Sequence, residues 1–192
     1  EGERLFEHVS IAIEQLVSGE NELLKDKGLE SGLVNIGASE IALHLFLLNE
    51  LEVFHHHYPH VKLRISNHST PQAVQALENG LVDFAVISTP VALKKPLQRI
   101  PLYSFHEILI GGEEYAEMAS KKHSLQELQD IPLIGIAPGT STRELYTQYF
   151  MRHNLPFSPD MEVATTDQIL PMIQHNLGIG FLPEELAAEH IA

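Results

Sequence analysis

The chain has no cysteine, which excludes disulfides, thiolate catalysis and zinc–thiolate centres. Basic residues are scarce. Twelve Lys and Arg stand against 26 Asp and Glu, for a net charge of −14. Affinity for a phosphate backbone rests largely on Lys and Arg, so a segment this acidic, with no basic cluster, is not expected to grip nucleic acid by itself. No apolar run reaches the roughly 18 residues of a membrane span, and no basic-then-apolar leader opens the chain. The expectation is a cytoplasmic location without membrane contact. Internal repeats and low-complexity segments are missing, as are the nucleophile elbow, the phosphate loop, the HExxH site and the dinucleotide fingerprint. Gly178-Ile179-Gly180 lacks the third glycine of that fingerprint and reads as a tight turn into a strand. No catalysis, cofactor or metal is expected.

What is present is 192 residues, 44% hydrophobic and 20% charged, enough for one domain or two small ones. The chain is organised around Val34-Asn35-Ile36-Gly37-Ala38-Ser39-Glu40. This reads as a buried strand that stops at Gly37 and runs into an apolar helix, with Ser39 as N-cap. Leu133-Ile134-Gly135-Ile136-Ala137 leads in the same way to Thr140-Ser141-Thr142, and Met161-Glu162-Val163-Ala164 to Thr165-Thr166-Asp167. A parallel α/β sheet gathers such junctions at the carboxyl edge of its strands, where ligands dock. Helix starts rich in hydroxyls and free amides point to a small-molecule cleft.

In chain order, 1–28 reads as a linker helix. Leu5, Ala12 and Gly19 alternate with Val9, Leu16 and Leu23 in a heptad seam, fit either for a partner chain or for the helix's own domain. A hinge follows at Gly28 to Gly32. Alternating short strands and helices then predict a largely parallel sheet. The first helix runs over 40–57, with Leu43, Phe46, Leu47, Leu51 and Phe54 at helical spacing, and Tyr58-Pro59 ends it. Strand 61–65, a helix from Thr70-Pro71 to Asn79-Gly80 and strand 82–87 complete a first region, 29–90. Ser88-Thr89-Pro90 marks the passage to a second, 91–192. Two strand candidates lie within 97–110, around Tyr103-Ser104, and short helical turns follow Gly112. Then come strand 132–137, a helix from Ser141 with a Ser141–Glu144 capping box, strand 161–164, a helix over 166–176 bent by Pro171, strand 179–181 and a last helix from Pro183.

Taken together, several stretches resemble the effector-binding (regulatory) region of LysR-type transcriptional regulators. They are Gly2-Glu3-Arg4-Leu5, Val34-Asn35-Ile36-Gly37, Phe54-His55-His56-His57-Tyr58-Pro59-His60-Val61, Leu77-Glu78-Asn79-Gly80-Leu81-Val82-Asp83-Phe84-Ala85-Val86 and Leu177-Gly178-Ile179-Gly180-Phe181-Leu182-Pro183. The resemblance implies an α/β fold of two lobes, of periplasmic-binding-protein type II, with a small-molecule effector in the cleft. It also implies a homodimer or tetramer, and DNA binding only through an N-terminal winged helix-turn-helix that these residues do not include. Further strands past 184–192 would return to the first lobe. Leu48 stands where the family often has proline, so the first helix is expected to be less interrupted. The alternative is a solute-binding protein of a transport system with the same two-lobe fold.

Effector contacts are expected at Ser39, Thr70, Thr89, Thr140, Ser141 and Thr142, where the resemblance places them. Hydroxyls and helix N-terminal amides can hold an anion without a buried cation, although Ser39, Thr70 and Ser141 also read as plain N-caps. Glu40 in the first turn repels an anion nearby, and if it faces the cleft a zwitterionic or amine-bearing ligand fits better, so ligand charge stays open. Arg143 reads either as a bidentate anion contact or as a surface partner of Glu144 or Glu113. His55-His56-His57 and His60 read as a solvated helix end rather than a metal cluster, because successive helical residues point about 100° apart.

Overall fold

A computed structural model describes residues 32–188 and, before them, residues 2, 9, 12, 13, 15 and 16. Apart from those six positions, the linker helix expected over 1–28 lies outside the described residues. So does any continuation of the last helix past residue 188. The chain divides into two compact units, Glu1–Ile87 with Leu93–Arg99 and Ser88–Ala92 with Ile100–Ala192.

The first unit is a three-stranded parallel sheet of order β2-β1-β3, with β1 Gly32–Ala38, β2 Val61–Asn67 and β3 Phe84–Val86. Central β1 is the apolar one, with Ile36 and Ala38 essentially inaccessible. The strand does not stop at Gly37. It continues to Ala38, and the turn falls at Ser39. A Cβ at Gly37 would lie 3.4 Å from Val82 and 3.7 Å from Ala73, so a small residue there matches a close-packed helix.

Helix α1 starts as Glu40–Ala42, passes through a π-helical turn at Leu43–Leu47 and continues as Leu48–His57. It is therefore interrupted just before Leu48, contrary to the sequence expectation. Leu43, Phe46, Leu47 and Leu51 pack on Ile36, Ala38 and Val86. Leu48 and Val53 are left exposed. Helix α2, Thr70–Glu78, covers the sheet through buried Ala73 and Ala76. Its C-cap is Asn79, and Gly80 follows at φ +69°, a left-handed turn that glycine enters without cost. The Gln15 side-chain amide donates to the Asn79 carbonyl at 2.9 Å.

The second unit holds a four-stranded sheet of order β4-β7-β5-β6. Its strands are β4 Glu107–Gly111, β5 Leu133–Ile136, β6 Met161–Val163 and β7 Ile179–Pro183. Strands β5, β6 and β7 are parallel, and β4 runs antiparallel to β7. Only one of the two strands expected within 97–110 forms, since 97–106 is irregular and exposes Ile100, Leu102 and Tyr103. Short helices follow: a 3-10 turn Glu113–Tyr115 running into α3, Ala116–Ala119, and another 3-10 turn, Glu127–Asp130.

Helix α4, Ser141–Arg152, covers one face of the sheet with an aromatic cluster of Tyr146, Phe150, Phe157 and Phe181. Helix α5, Ile169–Gln174, covers the other through Ile169 and Ile173 on Ile134 and Leu182. Pro171 is tolerated at its third position because the preceding turn, Thr166–Gln168, is a 3-10 helix. Helix α6, Glu184–Ala187, follows β7 directly.

Candidate functional site

The carboxyl edge of each sheet delivers the chain into helix starts, and that is where the candidate residues lie. At the end of β1, Ser39 takes an extended conformation (φ −76°, ψ 150°), and its hydroxyl accepts from the Ala42 amide at 3.4 Å. Its own amide donates to the Val86 carbonyl at 2.9 Å, tying the junction to β3. Ser39 is buried, at 6% exposure. It is the N-cap expected of it.

At the other two junctions the cap lies one residue earlier than expected. After β2 the cap is Ser69 (ψ 154°), in a reciprocal capping box with Gln72, whose Oε1 accepts from the Ser69 amide at 3.0 Å. Thr70 is thus the first helical residue, with its side chain buried. After β5 the cap is Thr140 (ψ 150°), whose Oγ1 accepts from the Arg143 amide at 3.1 Å. The Ser141–Glu144 capping box does not form, because Ser141 is already helical and cannot turn its hydroxyl back to those amides. A further box, Thr165 with Gln168, opens the turn after β6.

Ser141 therefore stands apart chemically. It is 5% exposed, and its hydroxyl has no hydrogen-bond partner among the described residues. Buried polar groups are nearly always paired with protein or water. Thr142, half-buried beside it, also lacks a side-chain partner among the described residues. Thr89 is exposed on the segment 88–92 that belongs to the second unit.

Arg143 is engaged through Nη1 and does not pair with Glu144 or Glu113. Its guanidinium donates to the last carbonyl of β5, Ile136, at 2.9 Å and to Glu162 of β6 at 2.6 Å, and lies 5.0 Å from the centre of the Phe157 ring. A charge-assisted bond, a backbone carbonyl and an aromatic face together engage it. Two further polar pairs carry no signal in the sequence, because their members are far apart along the chain. Tyr146, in α4, donates to Glu107 Oε2 at 2.7 Å, and Tyr103 donates to Glu185 at 2.9 Å. Burial pushes the Glu107 carboxyl above the usual carboxylate range, against the Tyr146 hydrogen bond, and the charge of Glu185 adds to the rise. Burial, and then the Glu107 charge, hold the Tyr146 phenol well above its ordinary value. Among the described residues no three potential ligands converge on a metal position. His57 is occupied by the Val53 carbonyl at 2.8 Å.

A family model described as the LysR substrate binding domain matches residues 27–192. The chain belongs to that family. It is similar to the HTH-type transcriptional regulator YofA of Bacillus velezensis, with 25% identity over 183 residues, 95% of this chain and 60% of that protein. It therefore spans less than two thirds of this relative's length. Among solved structures, the cofactor-binding domain of the Cbl transcriptional regulator superposes with a TM-score of 0.73 at 21% identity, over 83% of this chain and 70% of that one. The effector-binding domain of QuiR in complex with shikimate gives 0.72 at 16% identity, over 83% and 77%. The fold is thus the two-lobe, periplasmic-binding-protein type II-like α/β fold. By the family match, the chain is a substrate-binding domain of the LysR type.

Proposed function

We propose that this LysR domain binds a small polar effector at the carboxyl edges of its two sheets, and that occupancy controls transcription through a DNA-binding segment outside these residues, in the cytoplasm. The observation that carries the site is Ser141, a buried hydroxyl without a partner among the described residues at the start of α4, flanked by Thr140 and Thr142. The QuiR domain, bound to shikimate, supports a small hydroxyl-matched ligand. Ser39 and Thr70 are assigned the first unit's share of the contacts, and Thr89 a place beside the segments that link the units. A ligand acts as a switch here only if it binds the domain's alternative states with different affinity.

The test is a thermal-shift screen of organic acids, amino acids and amines, since binding to the native state raises the melting temperature. Thr140→Val and Thr70→Val are then titrated against the best hit. Each should weaken binding about fivefold, the worth of one hydroxyl hydrogen bond of roughly 1 kcal/mol. Unchanged affinity in both would move the effector elsewhere. The domain is also proposed to pair as a homodimer. Leu43 and Leu47 belong to the core, so the apolar side chains α1 offers a partner are Leu48 and Val53. Sedimentation of Leu48→Glu as a monomer, against a dimeric parent, is the expected result.

A further inference from the structure

The second sheet's carboxyl edge is rich in carboxylates, and among the described residues Arg143 there is held through Nη1. Glu107 pairs with Pro183, the last residue of β7, so antiparallel β4 begins at the edge where β5, β6 and β7 end. The Glu184 amide donates to the His106 carbonyl at 2.8 Å, and Glu185 follows on α6. Glu107 Oε2 takes the Tyr146 hydroxyl, whereas Oε1 has no hydrogen-bond partner among the described residues. Glu185 lies close enough for its charge to act on Glu107.

Arg143 is bound to Ile136, Glu162 and the Phe157 face. Arg152 ends α4 at the opposite edge, and Lys121 and Lys122 follow the short helices that β4 leads into there. In the first unit, the segments that leave the strands, 37–41, 66–71 and 86–87, carry Glu40 and His68 but no Lys or Arg.

We infer that the effector is a small organic ammonium compound, its amine received by Glu107 and Glu185 and its polar remainder by the hydroxyls at the start of α4. This rests on the reading of the carboxyl edges as the effector site. The unpartnered buried hydroxyl of Ser141 supports a ligand there independently of charge. An ammonium group brings three donors and no acceptor, which suits an open carboxylate oxygen. It also relieves the repulsion between two neighbouring carboxylates. A carboxylate ligand would instead add a third negative charge beside these two carboxylates. The net charge of −14 raises the local concentration of cations.

The experiment is calorimetric titration of the 192-residue chain at physiological ionic strength, where non-specific attraction is screened. The probes are putrescine, butylamine and amino-acid amides, with succinate as the anionic counterpart. At least one amine should bind saturably and succinate should not. Glu107→Gln and Glu185→Gln should each weaken the amine about tenfold, the loss of a charge-assisted hydrogen bond. Exposed Glu185 keeps the test open if Glu107→Gln fails to fold. Glu117→Gln on α3, beyond the other end of β4 in the same unit, removes the same charge away from the site and should change nothing. Thr140→Val should weaken the amine about fivefold.

Succinate binding that weakens in Thr140→Val, with no amine bound, overturns the ammonium inference and leaves the site reading standing. Amine binding that weakens in Glu107→Gln or Glu185→Gln but in neither Thr140→Val nor Ser141→Ala supports the carboxylate contact and overturns the hydroxyl site. Equal weakening by Glu117→Gln, or no saturable binding by any amine, overturns the inference.

Discussion

In the first unit α2 meets the sheet through alanines, while in the second α4 meets it through aromatic rings. Ser39 and Thr70 are buried at 6% and 3% exposure, and α2 lies so close on β1 that alanines form the contact. Thr140 and Thr142 stay half-buried at the head of α4, which is held off the sheet by rings of Tyr146, Phe150 and Phe157. Both units spend one hydroxyl on the cap, Ser69 or Thr140, and bury the one behind it, Thr70 or Ser141. The lesson lies in the partners, since of the two buried hydroxyls only that of Ser141 has none among the described residues.

The largest expected effect comes from breaking each core. Phe150→Ala should lose about 4 kcal/mol and Leu47→Ala about 3 kcal/mol in denaturant titrations, the usual range for emptying a buried aromatic and a buried aliphatic site. A Leu47→Ala loss below about 1 kcal/mol would mean that the first unit repacks freely, and the contrast between the two interfaces would fail. Next is the brace at the second junction. Arg143→Met should cost about 2 kcal/mol, because the Ile136 carbonyl loses its donor and Glu162 its counter-ion. Glu162→Gln should cost about 0.5 kcal/mol, since that carboxylate is 42% exposed and screened.

The caps separate the two units more sharply. Ser39→Ala and Thr140→Ala should each lower stability by about 1 kcal/mol, but Thr140→Ala should also weaken the ligand clearly and Ser39→Ala less, by titration of both variants. The smallest effect is on pH dependence. The Glu107 carboxyl is held above its unfolded value, chiefly by burial. The folded state therefore keeps that proton longer than the unfolded chain does. The group's contribution is fully present below the unfolded carboxylate pKa and is lost as pH rises through the folded one. Glu107→Gln should flatten the fall in melting temperature as pH rises above about 4, the unfolded carboxylate value. An unchanged slope would place the proton elsewhere.

Local signals carried most of the fold. Tyr58-Pro59 ends α1 and Asn79-Gly80 ends α2 because these stops depend on adjacent residues alone. The cap after β5 was harder to read. Thr140, Ser141 and Thr142 all carry hydroxyls, and which one caps depends on where β5 lets go of the sheet. The partners of Arg143 and Tyr146 were out of reach, because Glu162 lies 19 residues away and Glu107 39, each brought near only by strand order. The π-helical turn at Leu43–Leu47 leaves no mark in a periodicity that fits an α-helix nearly as well. Leu43, Phe46 and Leu47 were legible as apolar but not as core, since spacing does not say which face meets the sheet.

Residues 88–92 belong to the second unit, and residues 93–99 return to the first. The two units are therefore interleaved along the gene. During synthesis the first unit cannot close until Arg99 has left the ribosome, by which time the first residues of the second have emerged ahead of it. Folding of the first unit thus overlaps with delivery of the second. No single cut in the coding sequence yields both units whole. A break after Ile87 strips one of its returning segment, and a break after Arg99 carries off five residues of the other. Any attempt to exchange one lobe between relatives has to move both crossing segments with it.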